Sequence, residues 1–342
     1  MTSRERVKAA LRFQPVDRVP LQYYNTPVGF YEHGEKLNNL YASLPGDFAP
    51  FVRQPIPMPP PEDFDAAGRY HAFRTNEWGA RIEYRIFGIA GIVRDHPLSD
   101  LSKLDAYRFP SGAPLSGAAF ERERARIAAH QREYFACVGA GSLFERLKEL
   151  RPDEDVLCDI ALGEPGICTL ADRIVEYDAS YVELAVKTGA DAISFGDDYG
   201  AERAMLLSPD LWRQFFKPRL KELFRPAVDA GLDVIFHSCG MILPILDDLR
   251  DVGATAIWPQ LPLYDMESFA ARCRALGLAV AVHTDRANTM TYGTPAQVRA
   301  LVEREYEAFR MHAGGAWFYV EADNGFPFEN IRALVETIAQ FR

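Results

Sequence analysis

The chain lacks several features that mark special classes of protein. No apolar run reaches the roughly 18 residues that a membrane-spanning helix needs. An excess of positive charge is also missing: the formal net charge is −10 at pH 7, which argues against nucleic acids and anionic membranes as partners. The charged start is not followed by an apolar stretch of signal-peptide type.

Cysteine is scarce. Five cysteines, an odd number, are scattered over 342 residues, which is not the pattern of a disulfide framework. We therefore expect a cytoplasmic protein with reduced thiols, in which Cys239 is available as a thiolate. The remaining composition, 48% hydrophobic and 25% charged, is typical of a globular protein.

From about residue 133, short apolar runs alternate with helical stretches, and several runs follow a glycine that ends a helix. The predicted strands are Tyr134–Val138, Val156–Ile160, Ala192–Phe195, Val234–Phe236, Ala256–Trp258, Ala279–Val282 and Trp317–Val320. This repetition predicts an α/β fold, a closed (β/α)8 TIM-type barrel. The alternative is an open doubly wound sheet, but no G-x-G-x-x-G follows the first strand to support it.

The first 110 residues or so have a different pattern. Ser3–Phe13 is predicted to be an amphipathic helix, and the prolines between Pro55 and Pro61 indicate a loop over the barrel mouth. Glu77–Gly79 and Ile82–Ile86 indicate an added hairpin or an early barrel strand. No Gly- or Ser-rich linker separates two units. We expect one domain over 1–342, in which about 1–110 form an N-terminal helical and loop cap with early barrel elements.

His237 and Cys239 are the most informative pair of residues. They follow the apolar run Leu232–Phe236, and side chains two apart in a strand point to one face, so both can reach one ion. An imidazole with a thiolate suits zinc better than magnesium or calcium. The alternative is a core histidine beside a buried cysteine.

Further polar residues follow other predicted strands, and chemistry in a β/α barrel belongs at those strand ends. They are Asp197, Asp198, Gln260, His283, Glu321 and Asp323. Each has a structural alternative: one aspartate as a helix cap, His283 as a core histidine, Gln260 as a structural amide. Cys273 is expected to be a small apolar filler inside a helix.

Several motifs occur in one order along nearly the whole chain. They are Arg4-x-Arg6-x3-Ala10-x6-Asp17-Arg18-Val19-Pro20, Gly196–Gly200, Leu207-Ser-Pro209-x2-Trp212-x2-Phe215-x2-Pro218, His237–Gly240, Gly293-Thr-Pro-x2-Val298 and Pro327-x-Glu329-Asn330-Ile331. In this order they resemble the uroporphyrinogen decarboxylase superfamily, and the resemblance implies a β/α barrel.

Within that superfamily, the decarboxylases carry arginines after the D-R-x-P element to bind the carboxylates of a tetrapyrrole. Here that place reads Leu21–Val28 and contains no arginine. His237-x-Cys239 instead resembles the branch of zinc- and corrinoid-linked methyltransferases, in which His, Cys and a later Cys hold the zinc.

The later cysteine is missing, because no cysteine follows Cys273. Glu321 lies near its expected place, and carboxylate oxygen is an accepted zinc ligand, with Asp323 as the rival. A carboxylate makes the ion harder, which suits a methyl ether more than a thiol. Four aromatic residues expected near the mouth would suit an aromatic methoxy substrate: Tyr23, Tyr24, Trp78 and Tyr199.

The resulting hypothesis is a zinc-dependent methyltransferase that moves a methyl group from a small methylated compound to a corrinoid, carried by a partner corrinoid protein. His237, Cys239 and Glu321 would bind zinc, Asp198 and His283 would be catalytic, and Gln260 would line the substrate pocket with the four aromatic residues. One alternative is a metal-free decarboxylase that uses Asp198 and His283 as acid and base. Another is a non-catalytic corrinoid-binding or scaffold protein.

Overall fold

The computed structural model describes all 342 residues, with ten β-strands and thirteen α-helices. The strands are β1 Leu21–Tyr24, β2 Ala72–Thr75, β3 Arg81–Tyr84, β4 Ile92–Asp95, β5 Cys137–Gly139, β6 Ala192–Gly196, β7 Asp233–Ser238, β8 Ala256–Pro259, β9 Ala279–His283 and β10 Ala316–Glu321. The helices are α1 Ser3–Leu11, α2 Pro27–His33, α3 Glu35–Ser43, α4 Gly117–His130, α5 Leu143–Leu150, α6 Asp153–Leu162, α7 Pro165–Thr188, α8 Pro209–Asp229, α9 Leu246–Asp251, α10 Met266–Leu276, α11 Thr289–Tyr292, α12 Pro295–Ala308 and α13 Phe328–Ile338.

Seven strands form one curved parallel sheet in the order β1-β10-β9-β8-β7-β6-β5. This confirms the predicted β/α barrel class, with seven paired strands instead of eight. An irregular segment lies beside β1 where an eighth strand would be: the Asp47 amide donates to the Leu21 carbonyl at 2.7 Å, and the Leu21 amide donates to the Asp47 carboxylate at 3.0 Å. The Phe48 carbonyl, next along this segment, accepts from His130 of α4 at 2.9 Å.

The interior of the barrel is packed with side chains from alternate strand positions. Small residues such as Ala192, Ala256 and Ala281 leave room for the large rings of Trp317 and Tyr319. Helix α1 closes the N-terminal end of the barrel, where Arg4 and Lys8 pair with Asp191 and Arg12 pairs with Asp233. The opposite end, where the strands terminate, is therefore the open mouth.

The N-terminal region contains a separate antiparallel sheet, β2-β3-β4. This confirms the predicted hairpin and shows that the alternative, an early barrel strand at residues 82–86, is wrong. The helix predicted for Ser3–Phe13 ends at Leu11, and Phe13 has a positive φ of 56°. The proline-rich segment is tied to α3 by Asn38, whose side chain exchanges hydrogen bonds of 2.9 and 3.0 Å with Gln54.

One predicted strand is wrong. Val156–Ile160 lies inside α6, where Val156 and Ile160 are buried one helical turn apart. Three acidic residues in the first turn favour the helix through its dipole, and Gly163 ends it in the left-handed conformation at φ 67°. The run is apolar enough for a strand, but its period is that of a helix.

Candidate metal centre

Three ligand-type side chains meet where β6 and β7 end. Gly196 of β6 pairs with His237 of β7, and Asp198 and Cys239 each follow by two residues. Alternation in extended chain therefore brings them to the same side of the mouth. His237 Nε2 lies 3.4 Å from Asp198 Oδ1 and 3.5 Å from Cys239 Sγ, and all three ligand atoms lie within 4.8 Å of one another.

These spacings fit the edges of a tetrahedral zinc site. Zinc bonds of about 2.0–2.1 Å to nitrogen or oxygen and about 2.3 Å to sulfur place N and O about 3.3 Å apart, and N and S about 3.6 Å apart. The observed separations are 3.4 and 3.5 Å. The side chains of His237 and Asp198 are 24% and 41% exposed, so a fourth position can open to the mouth. Three protein ligands with one open position are typical of catalytic zinc.

The imidazole of His237 is oriented by Trp258. His237 Nδ1 lies 2.8 Å from the Trp258 carbonyl, which can only accept, so Nδ1 carries a proton. In the neutral ring this leaves the Nε2 lone pair facing Asp198 and Cys239. The Trp258 indole also packs on the imidazole, with ring centroids 4.0 Å apart. Such a partner behind a ligand histidine is the usual means of fixing its ring at a metal site.

Asp198 and His237 are strongly coupled. Burial alone would raise the pKa of Asp198, but its hydrogen bond to His237 and the imidazolium charge lower that pKa to about 2. Burial alone would lower the pKa of His237, but the contacts with Asp198 and Cys239 raise it to about 9. A metal ion that binds His237 therefore has to displace a proton.

The loops that carry Asp198 and Cys239 are joined to each other. The Cys239 amide donates to Asp198 Oδ1 at 2.8 Å, and the Gly200 amide donates to the Cys239 carbonyl at 3.3 Å. Gly240 has φ 79°, and a Cβ there would lie 1.9 Å from the Gly200 carbonyl oxygen, so only glycine fits. Gln260, predicted to line the substrate pocket, accepts from the Gly240 amide at 3.0 Å through its side-chain oxygen.

His283, predicted to be an acid–base catalyst, is a buried histidine at the end of β9. The Trp258 indole N–H donates to His283 Nδ1 at 3.3 Å, which leaves the ring proton on Nε2, 3.6 Å from Glu321 Oε1. Burial, with a contribution from Arg286, lowers the His283 pKa to about 3. The ring is neutral near pH 7, and this geometry favours the alternative of a core histidine.

Glu321, predicted to be the third metal ligand, lies outside the group of three ligand-type residues, in which the carboxylate is Asp198. Strand β10 lies three strands from β7 in the sheet, and the Glu321 carboxylate pairs with Arg286. Glu321 is 5% exposed, and its Oε1 lies 3.1 Å from Arg286 Nη1, while the rival Asp323 pairs with Arg286 Nη2 at 2.8 Å. Burial raises the pKa of Glu321 to about 7.

Of the four predicted aromatic substrate residues, Tyr24 is the most open. It is 55% exposed at the end of β1 and stacks on Tyr319 with centroids 6.4 Å apart. Tyr23 is half-buried, and its hydroxyl donates to the Leu44 carbonyl at 2.9 Å. Trp78, in the N-terminal region, is only 2% exposed and packs against the guanidinium of Arg146. The Arg146 Cζ atom lies 4.1 Å from the centroid of the Trp78 ring.

Tyr199 is also core, at 2% exposure, and its hydroxyl donates to Asp197 Oδ2 at 2.9 Å. Asp197 in turn accepts from the first three amides of α5, those of residues 143–145, at 2.8–3.2 Å. The alternative of a helix-capping aspartate is thus confirmed for Asp197, but the capped helix is α5 and not the helix that follows. The structure does not place Trp78 or Tyr199 at the mouth.

Three residues near the cluster were not predicted from the sequence: Trp258, Arg286 and the buried ring of Tyr319. Trp258 contacts His237 and His283, and its ring lies 4.2 Å from that of Tyr319. A signal for Trp258 was present, because it ends the predicted strand 256–258 and so belongs with the other strand-end residues. Arg286 follows a strand end by three residues, in a loop, and no periodicity indicates it.

A family model described as uroporphyrinogen decarboxylase (URO-D) matches residues 164–341, more than half of the chain. The chain belongs to the uroporphyrinogen decarboxylase family. This confirms the family predicted from the ordered motifs, and the matched residues include Asp198, His237 and Cys239.

Curated relatives of the family include proteins of two activities. The chain is 34% identical over 82 residues to the methylcobamide:CoM methyltransferase MtaA of Methanosarcina barkeri, covering 24% of this chain and 23% of that protein. It is 26% identical over 186 residues to the uroporphyrinogen decarboxylase of Pelodictyon phaeoclathratiforme (strain DSM 5477 / BU-1), covering 52% of this chain and 50% of that protein. The chain therefore spans about a quarter of the length of the first relative and half of the length of the second.

The solved structure of a methyltransferase from Methanosarcina mazei superposes with a TM-score of 0.67 at 19% identity, covering 100% of this chain and 99% of that chain. At this identity the likeness concerns the fold, and it supports the barrel assignment over the full length. None of the thirteen helices combines the length and apolarity required to cross a membrane.

Proposed function

We propose that this chain is a zinc-dependent methyltransferase that moves a methyl group from a small methylated compound to a corrinoid. The observation that carries the proposal is the cluster of Asp198, His237 and Cys239 at the barrel mouth, with donor separations of 3.4 and 3.5 Å. The methyltransferase names among the relatives support it.

Zinc held by these three residues would supply a Lewis acid that polarises the oxygen of a methyl ether. The chain's own groups prepare that site. The Trp258 carbonyl aims His237 Nε2 at the mouth, and the Asp198 carboxylate, with Oδ1 3.4 Å from that nitrogen, offers an oxygen donor beside it. One nitrogen, one oxygen and one sulfur donor make a harder set than two thiolates and an imidazole, which favours an ether over a thiol substrate.

The wall beside the cluster is aromatic. Trp258 packs on His237 on one side and on Tyr319 on the other, and Tyr24 extends this surface to the rim. Such a surface would hold a flat apolar group next to the cluster while excluding water from it. A methoxy-substituted aromatic compound is therefore the methyl donor that we propose, with the corrinoid presented by a partner corrinoid protein.

Metal analysis and a methyl-transfer assay test the proposal. The purified protein should hold about one zinc per chain, and His237→Ala and Cys239→Ser should each lose most of it. Cys158→Ser is the matched control, because Cys158 is an exposed cysteine on α6, away from the mouth. Under anaerobic conditions, a methoxybenzoate with reduced cobalamin should yield methylcobalamin. Full metal retention in both site variants would refute the metal centre.

The decarboxylase named among the relatives is the competing function. Strand β1, which follows the D-R-x-P element, contains no arginine, and Arg18 of that element already pairs with Asp47 at 3.0 Å. The cations that a substrate rich in carboxylates would need are therefore not supplied by this segment. Accumulation of coproporphyrinogen from uroporphyrinogen would support the decarboxylase. Retained binding of a corrinoid protein without turnover would support the scaffold alternative.

A further inference from the structure

We infer that Tyr264 is a positioning residue for the metal centre: it clamps the backbone of the loop Cys239–Ile242 so that the Cys239 thiol faces His237 and Asp198. The inference rests on the proposed metal site and deepens it. Tyr264 does not touch the three ligand side chains and acts only through the loop that carries one of them.

The Tyr264 hydroxyl holds the loop at two points. It donates to the Gly240 carbonyl at 2.6 Å and accepts from the Ile242 amide at 3.0 Å. A phenol has one proton to donate, and the Tyr264 hydroxyl donates it to the carbonyl of Gly240, the residue that directly follows Cys239. Burial raises the pKa of Tyr264 to about 12, so the hydroxyl keeps its proton at every working pH.

The ring of Tyr264 is itself anchored. It stacks on Phe269 with centroids 4.3 Å apart and an interplanar angle of 23°. Phe269 is 2% exposed and belongs to the core face of α10. The position of the hydroxyl is therefore determined by a packed helix, which is the rigidity that a clamp requires.

Gln260 provides a second point of attachment from the same segment. Its side-chain oxygen accepts from the Gly240 amide at 3.0 Å, so both peptide groups of Gly240 are held by residues that follow β8. Asp198 holds the Cys239 amide from the β6 side at 2.8 Å. A loop that turns at a glycine with φ 79° needs such restraints, because glycine otherwise leaves the backbone free.

The test compares Tyr264→Phe with Tyr107→Phe. The first keeps the ring stack and removes the hydroxyl. The second removes a similar hydrogen bond, 2.6 Å from the Tyr107 hydroxyl to the Trp78 carbonyl, in the N-terminal region away from the metal centre. Zinc affinity is measured by competition with a chromophoric chelator, thiolate coordination by the charge-transfer absorption of the cobalt(II)-substituted protein, and stability by thermal unfolding of the metal-free protein.

Tyr264→Phe should bind zinc about 10- to 100-fold more weakly and show a weaker or shifted thiolate-to-cobalt band, as expected for a lost outer partner of a ligand. Tyr107→Phe should leave both unchanged. Gln260→Met, which removes the acceptor of the Gly240 amide without adding a charge, should weaken binding in the same direction.

A Tyr264→Phe protein with wild-type zinc affinity and cobalt spectrum would overturn the clamp, even if its melting temperature fell, because the hydroxyl would then serve stability alone. If the wild-type protein binds neither zinc nor cobalt, the metal centre itself fails and the clamp with it. The two failures are distinguishable, because only the second appears in the wild-type protein.

Discussion

Replacement of Asp198 by asparagine should release most of the metal, and this is the sharpest test of the site. Asparagine has nearly the same shape, and its side-chain oxygen can still accept from the Cys239 amide, now 2.8 Å from Asp198 Oδ1. What the substitution removes is the negative charge 3.4 Å from His237 Nε2. The loop is thus preserved while the anionic ligand is lost.

The expected magnitude follows from the number of ligands. Structural zinc sites of zinc-finger peptides, which have four protein ligands, bind zinc with about 10–16 kcal/mol, or about 2.5–4 kcal/mol per ligand. An amide oxygen retains part of that interaction, so we expect a loss of about 2–3 kcal/mol. This corresponds to zinc binding that is weaker by roughly 30- to 150-fold.

The assay is chelator competition on the wild-type protein, Asp198→Asn, Glu321→Gln and Asp323→Asn in parallel. Glu321 and Asp323 pair with Arg286 and lie outside the cluster, so their neutral variants should change zinc affinity less than about tenfold, through long-range charge alone. If Glu321→Gln weakens zinc binding more than Asp198→Asn does, the ion recruits Glu321 away from Arg286. The assignment of Asp198 as third ligand would then be wrong.

Three further predictions concern stability and substrate. Glu305 is 1% exposed, accepts from Thr284 Oγ1 at 2.7 Å, and has its pKa raised to about 8 by burial. It is therefore protonated when folded and ionised when unfolded near neutral pH, so stability should fall as pH rises from about 4.5 to 8. Between pH 6 and pH 8, the free energy of unfolding measured with urea should fall by about 2 kcal/mol more in the wild type than in Glu305→Gln. An equal fall in both proteins would contradict this prediction. Asp197→Ala, which deprives the first amides of α5 of their acceptor, should lower the free energy of unfolding by about 2–4 kcal/mol, and a loss below about 1 kcal/mol would show that the cap is dispensable. Uroporphyrinogen incubated anaerobically with the protein should remain unchanged by chromatography, whereas coproporphyrinogen would exclude the methyltransferase assignment.

The barrel could be predicted because its strands are buried on both faces and so appear as short apolar runs after glycines. Strand β1 was not predicted, because it is not a continuous apolar run. It is only four residues long, with two tyrosines and a glutamine, and its inward Gln22 accepts from the Trp317 indole at 2.9 Å. A polar residue that is satisfied only by a residue some 300 positions later leaves no local pattern.

The pairing of His237 with Cys239 could be predicted because it depends on local alternation alone. The third member could not, because it depends on how β6 aligns with β7, a non-local property. Glu321 was predicted from its place at the end of the last strand, but in the structure its carboxylate pairs with Arg286, and two strands lie between β10 and β7. Register, and not distance along the chain, decides which carboxylate joins the cluster.

Asp197 and Asp198 show how strongly the composition of the cluster depends on this register. The two acids are adjacent and chemically identical, but extended chain sends them to opposite sides: Asp197 is 2% exposed and caps α5, while Asp198 is 41% exposed at the side chain and faces His237. A slip of one residue in the pairing of Gly196 with His237 would exchange their roles. The same strand end therefore anchors a helix through one residue and offers a metal ligand through the next. Because the cap fixes the backbone of Asp197, it also fixes the direction of Asp198, so the stability of this corner of the barrel and the geometry of the metal centre depend on one another.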